Sequence, residues 1–542
     1  MGFCSALRSS SFVLLVLFAV FTCLPAFADS ARDPDEDHIQ RAQEIYDDLA
    51  ADLRVEFPKE EGKVWSQTKI TLRPDWIVQG PTRLWGLKPE QIPHEMNCDD
   101  DDYRCDPVWK RQICETDSDC LTPTTQCTPL QASRSSMRQR VKKMCLGNTD
   151  GLIDRFYNIV VSADHELDIA SLFIPSGRFY TAMINGLALA SEKESVPAVR
   201  ILYAGFPLFA PVIGQGPGGT LHKIVHDIRE IAPDTYERLR INVGQDYSPV
   251  LTYNHTKIVL ADGKRAMEGG HNLLDAHYLS TETIFDLSME FRGPGVAKAR
   301  DFLNVLWDDI GDRYHSFPKD APRIPNFSLQ SSNSGDTNTI TVGRMGNIGP
   351  NVSDKALAHL IDESQSSLSI IQSDIYRHGI GEWDRFQSFA FPHIIRAAAR
   401  GVKVRLVLSN DRAKIGFATI NGDREYKRLI DGLAEKLQEN DHRLDKYTAR
   451  ATACQRIEVA PFRFSRYIDV WPSKHILQPG LHTKFLMVDD AAFYVGSHNL
   501  YPAQLVEFGN IVTDAKAASE IKDQYWSKVW AESSTVRMTC PK

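Results

Sequence analysis

His482-Thr483-Lys484-Phe485-Leu486-Met487-Val488-Asp489 reads as a strand running into a turn, and Gly496-Ser497-His498-Asn499 follows it. His and Lys two positions apart on a strand share a face, so both reach one ligand, while the apolar run behind them anchors the strand. The arrangement occurs a second time, as His255-Thr256-Lys257-Ile258-Val259-Leu260-Ala261-Asp262 followed by Gly269-Gly270-His271-Asn272. From His to the first Gly is fourteen residues in both copies. One such match can arise by chance; two at identical spacing point to a duplicated unit. Asp262-Gly263 reads as a hairpin turn that returns the chain toward Gly269. Gly269 and Gly496 let backbone pass close to a bound group and present Asn272 and Asn499 beside the His/Lys pairs. Asp262 and Asp489 are expected to be structural, capping the turn and orienting its neighbours.

Working outward, each half shows the same alternation. In the first, the strand-like Leu167-Asp168-Ile169-Ala170-Ser171-Leu172-Phe173-Ile174 precedes a helical stretch through Met183 and Leu189, and then the strand Val199-Arg200-Ile201-Leu202-Tyr203. In the second, Leu368-Ser369-Ile370-Ile371-Gln372 precedes a helical stretch through Ile394 to Ala399 that Gly401 stops, and Val402 to Leu408 is the next strand. Strands alternating with helices predict an α/β fold. Two pseudo-symmetric lobes are expected, with mixed, largely parallel sheets sandwiched by helices. A Ser/Asn/Pro-rich connector separates the passes. The expected units are 1–28, 29–150 as a small disulfide-rich N-terminal extension, 151–317 as the first lobe, 318–338 as a linker and 339–542 as the second lobe.

The first residues read as a secretory signal: Arg8, an apolar run from Phe12 to Phe21 too short to span a bilayer, and Ala26-Phe27-Ala28 before Asp29. A lipoprotein reading at Cys23 is disfavoured by the preceding Thr22. No later stretch has the apolar length of a transmembrane helix, so the mature chain is expected to be soluble and exported. Ten cysteines are present, and removal of Cys4 and Cys23 leaves an even number. Six of these crowd between Cys98 and Cys145, and Cys454 pairs with Cys540 only by elimination. The irregular gaps argue against a zinc site. Asp99-Asp100-Asp101-Asp102 reads as a solvated acidic loop. The net charge of −8 lacks the basic excess that phosphate neutralisation demands of a nucleic-acid binder.

Two half-sites facing each other across a pseudo-twofold place His255, His482, Lys257, Lys484, Asn272 and Asn499 around one cavity. That set suits phosphoryl transfer. Lysines and asparagines donate to non-bridging oxygens, one imidazole attacks phosphorus, and the other protonates the departing oxygen. Each imidazole needs a carboxylate to fix its tautomer, and Asp286 and Glu507, each downstream of its Asn, are placed for this. From the residues alone the two halves are equivalent. His271 and His498 are expected at the pocket rim, and His393 as a packed histidine. Zinc on His255 and His482 is disfavoured because the adjacent lysines repel a cation. Of the sequons at Asn254, Asn326 and Asn351, that at Asn254 is expected to be unmodified, since a glycan there would block His255.

On these residues the chain resembles the phospholipase D superfamily, specifically the secreted bacterial phospholipases D of the Streptomyces type, over about residues 150–540. The resemblance extends to Asp275, Tyr278-Leu279, Phe285-Asp286 and Leu306-Trp307 in the first half. In the second it includes Phe493-Tyr494-Val495 before the Gly-Ser turn, Leu500-Tyr501-Pro502 after it, and Glu507-Phe508-Gly509. It implies that His255 is the nucleophile forming a phosphohistidine and that His482 is the general acid and then base. It also implies that Lys257, Lys484, Asn272 and Asn499 bind phosphate and that Asp286 and Glu507 support the histidines. No metal or other cofactor is implied. The implied reaction is hydrolysis of phosphatidylcholine-type lipids to phosphatidic acid, with transfer to alcohols in many members, by a monomer at a lipid surface. Neither a nucleic-acid nor a stable protein partner is expected. His271, His498 and Glu507 depart from the Streptomyces-type pattern, which tends to have Asp in place of Glu507. The region 29–150 has no counterpart, and reads as a lid, a partner module or a stabilising extension. The apolar Phe206-Pro207-Leu208-Phe209-Ala210 either contacts acyl chains or is ordinary core. The alternatives are a nuclease or another phosphodiesterase of the same superfamily, or a non-enzymatic binding protein. Against the last, folding does not require two intact His/Lys/Asn sets.

Overall fold

The strand-forming segments of the two halves assemble into two eight-stranded sheets in the structure, a computed structural model. It describes residues 34–91, 115–119, 126–129, 143–146, 150–205, 216–246, 252–278, 282–329, 334–375, 388–414, 416–419, 422–471 and 477–541. The expected signal segment, the apolar stretch 206–210 and Cys98, Cys105, Cys114 and Cys120 lie outside the described residues.

The first sheet runs Tyr314–Phe317, Arg240–Asp246, Ala198–Ala204, Glu166–Ser171, Ile258–Ala261, Arg265–Gly269, Asp286–Arg292, Ile77–Gly80. The second runs Trp65–Ile70, Thr337–Met345, Val506–Val512, Ala492–Gly496, Phe485–Val488, Ser367–Gln372, Lys403–Leu408, Ile457–Pro461. The expectation of largely parallel sheets is corrected. Parallel pairing joins only Glu166–Ser171, Ala198–Ala204 and Arg240–Asp246 in one sheet, and Ser367–Gln372, Lys403–Leu408 and Ile457–Pro461 in the other. The remaining neighbours are antiparallel. Each motif strand returns through a three-residue turn, 262–264 and 489–491, and a turn that short can only make an antiparallel pair. The helix Ala390–Arg400 ends on Gly401, whose φ of 109° is left-handed.

Alternation along the motif strand joins two cores. Ile258 and Leu260 belong to the core shared with second-sheet residues such as Val342, Phe493 and Val495. Val259 and Ala261 face the opposite core with Phe156, Phe179 and Ile224. The helix Pro294–Asp309 packs on strands of both sheets.

The expected separate extension at 29–150 is corrected for residues 34–91, which are woven into both lobes. Helix Pro34–Glu56 packs on helices Val352–Asp362 and Ala515–Ile521 of the second lobe. Trp65–Ile70 forms the edge of the second sheet, and Ile77–Gly80 the edge of the first. Trp76 stacks on Phe493 at 5.7 Å, and Trp85 meets Phe285 of one lobe and Phe462 and Tyr525 of the other. Edge strands invite unwanted pairing and need cover, which makes this segment part of the fold. The connector also packs: Ile324 donates its N–H to Asn242 Oδ1 at 2.7 Å, and the Phe327 ring lies 4.0 Å below the Arg200 guanidinium. Cys454 and Cys540 form a disulfide that ties the C-terminal segment down, where Met538 donates its N–H to the Val459 carbonyl at 2.9 Å beside the outer strand.

Trp76→Ala should cost about 3–5 kcal/mol, the range for deleting a large buried aromatic. Urea unfolding measures this; a loss below about 1 kcal/mol would mean the segment does not brace the second lobe.

Candidate active site

Each motif strand is shaped by its turn. Asp262 and Gly263 have φ of 55° and 61°, and Lys264 donates its N–H to the Ala261 carbonyl at 2.9 Å. The second turn uses Asp489 and Asp490, with φ of 53° and 54°, and Lys522 pairs with Asp490 at 2.7 Å. Asp262 faces the start of its own lobe's first strand, accepting backbone N–H groups of Asp164, His165 and Glu166 at 3.0, 2.8 and 2.9 Å. Asp489 does the same with Gln365, Ser366 and Ser367 at 2.9, 2.7 and 3.0 Å. These carboxylates register the hairpins rather than touch the histidines. Gly270 is a different constraint: a Cβ there would lie 1.9 Å from Asp286 Oδ1. At Gly496 it would lie 2.1 Å from the Tyr494 hydroxyl.

The two half-sites meet through backbone as well as side chains. His255 donates its N–H to the Val506 carbonyl at 2.8 Å, and His482 donates its own to the Phe285 carbonyl at 2.8 Å. Val506 and Phe285 immediately precede Glu507 and Asp286, so each carboxylate is carried to the histidine of the opposite lobe. His255 Nδ1 lies 3.0 Å from Glu507 Oε1, and His482 Nδ1 lies 2.8 Å from Asp286 Oδ2. The imidazole centroids are 6.4 Å apart and inclined at 75°. With Nδ1 of each ring held by a carboxylate, the Nε2 atoms are left for chemistry. A reacting atom approached to about 3–3.5 Å from either side fits a span of this size.

Lys257 donates Nζ to the His255 carbonyl at 2.6 Å, and Lys484 does likewise to the His482 carbonyl. Neither pairs with a carboxylate among the described residues. Burial lowers both ammonium groups, Lys257 well below its usual range with Lys484 adding repulsion, and Lys484 to about 8. Burial and Lys257 bring His255 down to about 4 against Glu507; burial and Lys484 bring His482 to about 3 against Asp286. Burial opposes ionisation of Glu507, yet His498, the His255 hydrogen bond and Arg344 hold it at about 2. Asp286, against the same penalty, is kept well below the usual carboxylate range, chiefly by His482. Asp286 and Glu507 are hydrogen-bonded to histidines and offset the lysines only from a distance, so a bound anion would favour both ammonium forms. Among the described residues, no group of three or more His, Cys, Asp or Glu side chains is arranged to hold a metal ion.

Asn272 and Asn499 are buried beside these pairs, each with an unpartnered Oδ1, and Asn499 donates its N–H to Glu507 Oε1 at 3.2 Å. The expectation that His271 and His498 sit at the pocket rim is corrected: they are 1% and 0% exposed. Both lie behind the carboxylates, because the Gly-x-His-Asn turn directs the histidine into its own lobe. His271 Nδ1 lies 2.8 Å from Ser288 Oγ, and His498 Nε2 lies 3.5 Å from Glu507 Oε2. His393 pairs with Asp362 at 2.6 Å, away from the site. Asn254 is 0% exposed and donates Nδ2 to the Ser171 carbonyl at 3.1 Å, which leaves no room for a glycan. Three partners had no role in the sequence reading. Tyr278 donates its hydroxyl to Asp286 Oδ2 at 2.7 Å, the Tyr494 hydroxyl accepts the His498 N–H at 3.2 Å, and Arg344 donates Nη1 to Glu507 Oε2 at 3.1 Å. Arg344 lies on a strand far from either motif, and no local spacing marks it.

A family model described as cardiolipin synthase, PLD-like domain, matches residues 357–530, which include the second motif. A phospholipase D from Streptomyces antibioticus is 28% identical over 456 residues, covering 72% of this chain and 79% of that enzyme. On both counts the chain is similar to proteins of the phospholipase D superfamily. Among solved structures, a phosphatidylserine synthase from Haemophilus influenzae is 12% identical over 70% of this chain and 83% of that chain, with a TM-score of 0.46. A polyphosphate kinase from Porphyromonas gingivalis is 11% identical over 74% of this chain and 54% of that chain, with a TM-score of 0.40.

Two outcomes follow from this geometry. Folded-state values of His255, His482 and Glu507 all lie below those of the unfolded chain, so the unfolded state binds more protons and stability rises with pH. Stability should therefore fall as pH drops from 6.5 toward 4 through the histidines, and again from 4.5 toward 2 through Glu507. Urea midpoints that stay flat between pH 6.5 and 4 would contradict the histidine assignment. Gly270→Ala should displace Asp286 from His482 and lower turnover roughly 10²-fold while the protein stays folded. Unchanged turnover would show that Asp286 tolerates the added Cβ.

Proposed function

We propose that this protein is an exported phospholipase D that cleaves phosphatidylcholine-type lipids to phosphatidic acid and free headgroup. The observation that carries the reading is the pair of buried imidazoles 6.4 Å apart, each held at Nδ1 by a carboxylate of the other lobe. The similarity to an enzyme named phospholipase D supports it. A disulfide at Cys454–Cys540 is in keeping with export.

His255 Nε2 attacks phosphorus, the bond from phosphorus to the headgroup oxygen breaks, and His482 gives its Nε2 proton to that oxygen. A phosphatidyl group then sits on His255. Water attacks from the side the headgroup left, its proton passes to His482, and the phosphorus–nitrogen bond breaks to release phosphatidic acid. An alcohol in place of water yields the exchanged phospholipid. Lys257, Lys484, Asn272 and Asn499 donate to the non-bridging oxygens, where charge is held through both steps. A bound phosphodiester anion offsets the mutual repulsion of the lysines. It also favours the protonated form of His482, which burial otherwise disfavours. The protein acts as a monomer on a lipid surface.

Wild-type protein should release choline from phosphatidylcholine vesicles and form phosphatidylethanol when ethanol is added. His255→Ala should lower release by roughly 10⁴-fold. Mass spectrometry of acid-quenched enzyme should find the phosphatidyl adduct on a His255 peptide. Cleavage of single-stranded DNA with no headgroup released from any phospholipid would replace this reading with a nuclease.

A further inference from the structure

The two half-sites match in their motifs but differ behind their carboxylates. Asp286 is paired in register with Gly80 on the neighbouring strand, whereas Glu507 is paired with Arg344. Space opposite Asp286 is tight, since a Cβ on Gly80 would lie 3.0 Å from His271 Nε2 and the imidazole would have to shift. In the first half, Asp286 Oδ1 accepts the N–H of Leu287 at 2.9 Å, and Oδ2 faces His482 and the Tyr278 hydroxyl. A short side chain with one oxygen on its own backbone has little freedom left.

Glu507 has one more rotatable bond, and its two oxygens divide the work. Oε1 faces His255 at 3.0 Å and accepts from Asn499 N at 3.2 Å and Nδ2 at 3.4 Å. Oε2 accepts from Arg344 Nη1 at 3.1 Å, with His498 Nε2 at 3.5 Å. Arg344 Nε and His498 Nε2 also lie 3.3 and 2.8 Å from Oδ1 of a second acid, Asp354, at ion-pair distance but without hydrogen-bond geometry. Phe389 stacks on His498 at 5.3 Å and 23°. Asp354 sits in the first turn of helix Val352–Asp362, where a carboxylate is favourable, and is the one partly exposed member at 21%.

We infer that Arg344, with His498 and Asp354, is a positioning set that holds Glu507 on His255, and that the second half-site needs it because its carboxylate is longer than Asp286. The inference rests on the proposed role of His255 as nucleophile. Charged groups acting on Glu507 are His255, His498, Arg344, Lys257 and Lys484, with the Tyr494 hydroxyl beside it. Among the described residues, Arg344 makes the charge-assisted hydrogen bond to the oxygen that His255 does not use. Removing it frees the side chain and also returns its carboxyl toward the ordinary range.

The test compares Arg344→Met, Arg344→Lys and His498→Gln with Tyr278→Phe, which removes a donor from Asp286. Two substrates are used, phosphatidylcholine and phosphatidyl-p-nitrophenol, whose leaving group needs no proton. Arg344→Met should lower kcat by roughly 10²-fold with KM little changed, by the same factor on both substrates, and Arg344→Lys should recover part of it. The acid limb of its kcat/KM profile should move to higher pH. The loss in Tyr278→Phe should shrink on the p-nitrophenol substrate. Carbethoxylation by diethyl pyrocarbonate, followed peptide by peptide, should change rate at His255 in Arg344→Met and stay unchanged at His482. A folded Arg344→Met protein with wild-type kcat overturns the inference. So does a loss that disappears on the p-nitrophenol substrate, or an acid limb that stays in place while thermal stability falls. If wild-type protein turns over neither substrate, the phospholipase reading fails by itself, and the carbethoxylation rates still decide the positioning role.

Discussion

Everything at the site depends on an exchange of carboxylates between lobes: Glu507 of the second lobe holds His255 of the first, and Asp286 of the first holds His482 of the second. A lobe by itself carries a histidine without its acid and an acid without its histidine. Buried polar groups left in that state are costly, so docking of the lobes and completion of the site are one event. The short backbone bridges at Asn254 with Val506 and at Phe285 with Leu481 set the approach, placing each histidine N–H on the carbonyl that precedes the opposing acid.

Around that exchange the chain builds supports whose job is registration. Asp262 and Asp489 pin each motif hairpin to the start of its own lobe's first strand by accepting consecutive backbone N–H groups. The segment 34–91 adds a strand to each sheet and drives Trp76 and Trp85 between them. Sub-ångström placement of two imidazoles on different lobes needs rigidity of this kind, because error at the lobe interface appears directly in the gap between the rings.

The duplication is not a perfect symmetry. One turn uses Asp262-Gly263 and the other Asp489-Asp490, where Lys522 pairs with the second Asp. One acid faces Gly80 and the other Arg344. In the proposed reaction the two half-sites have different tasks, and the asymmetry lies one layer behind the paired imidazoles. There it alters the electrostatics without changing the matched His, Lys and Asn residues of the two motifs.

Local spacing made much of this legible. The repeated His-x-Lys, the apolar runs and the fixed interval to each Gly/Asn turn identified the duplicated α/β lobes, the motif strands and the His and Lys residues that the fold brings together, because such features depend on neighbours within a strand or turn. The tertiary structure decided the rest: which acid serves which histidine, the burial of His271 and His498, the antiparallel share of each sheet, and the placement of 34–91 and Arg344. Those contacts join residues far apart in the chain, as with His255 and Glu507, whose separation of 252 positions leaves no periodicity to read. They arise only when two folded lobes bury their facing surfaces together, and packing, rather than local preference, then selects the partners.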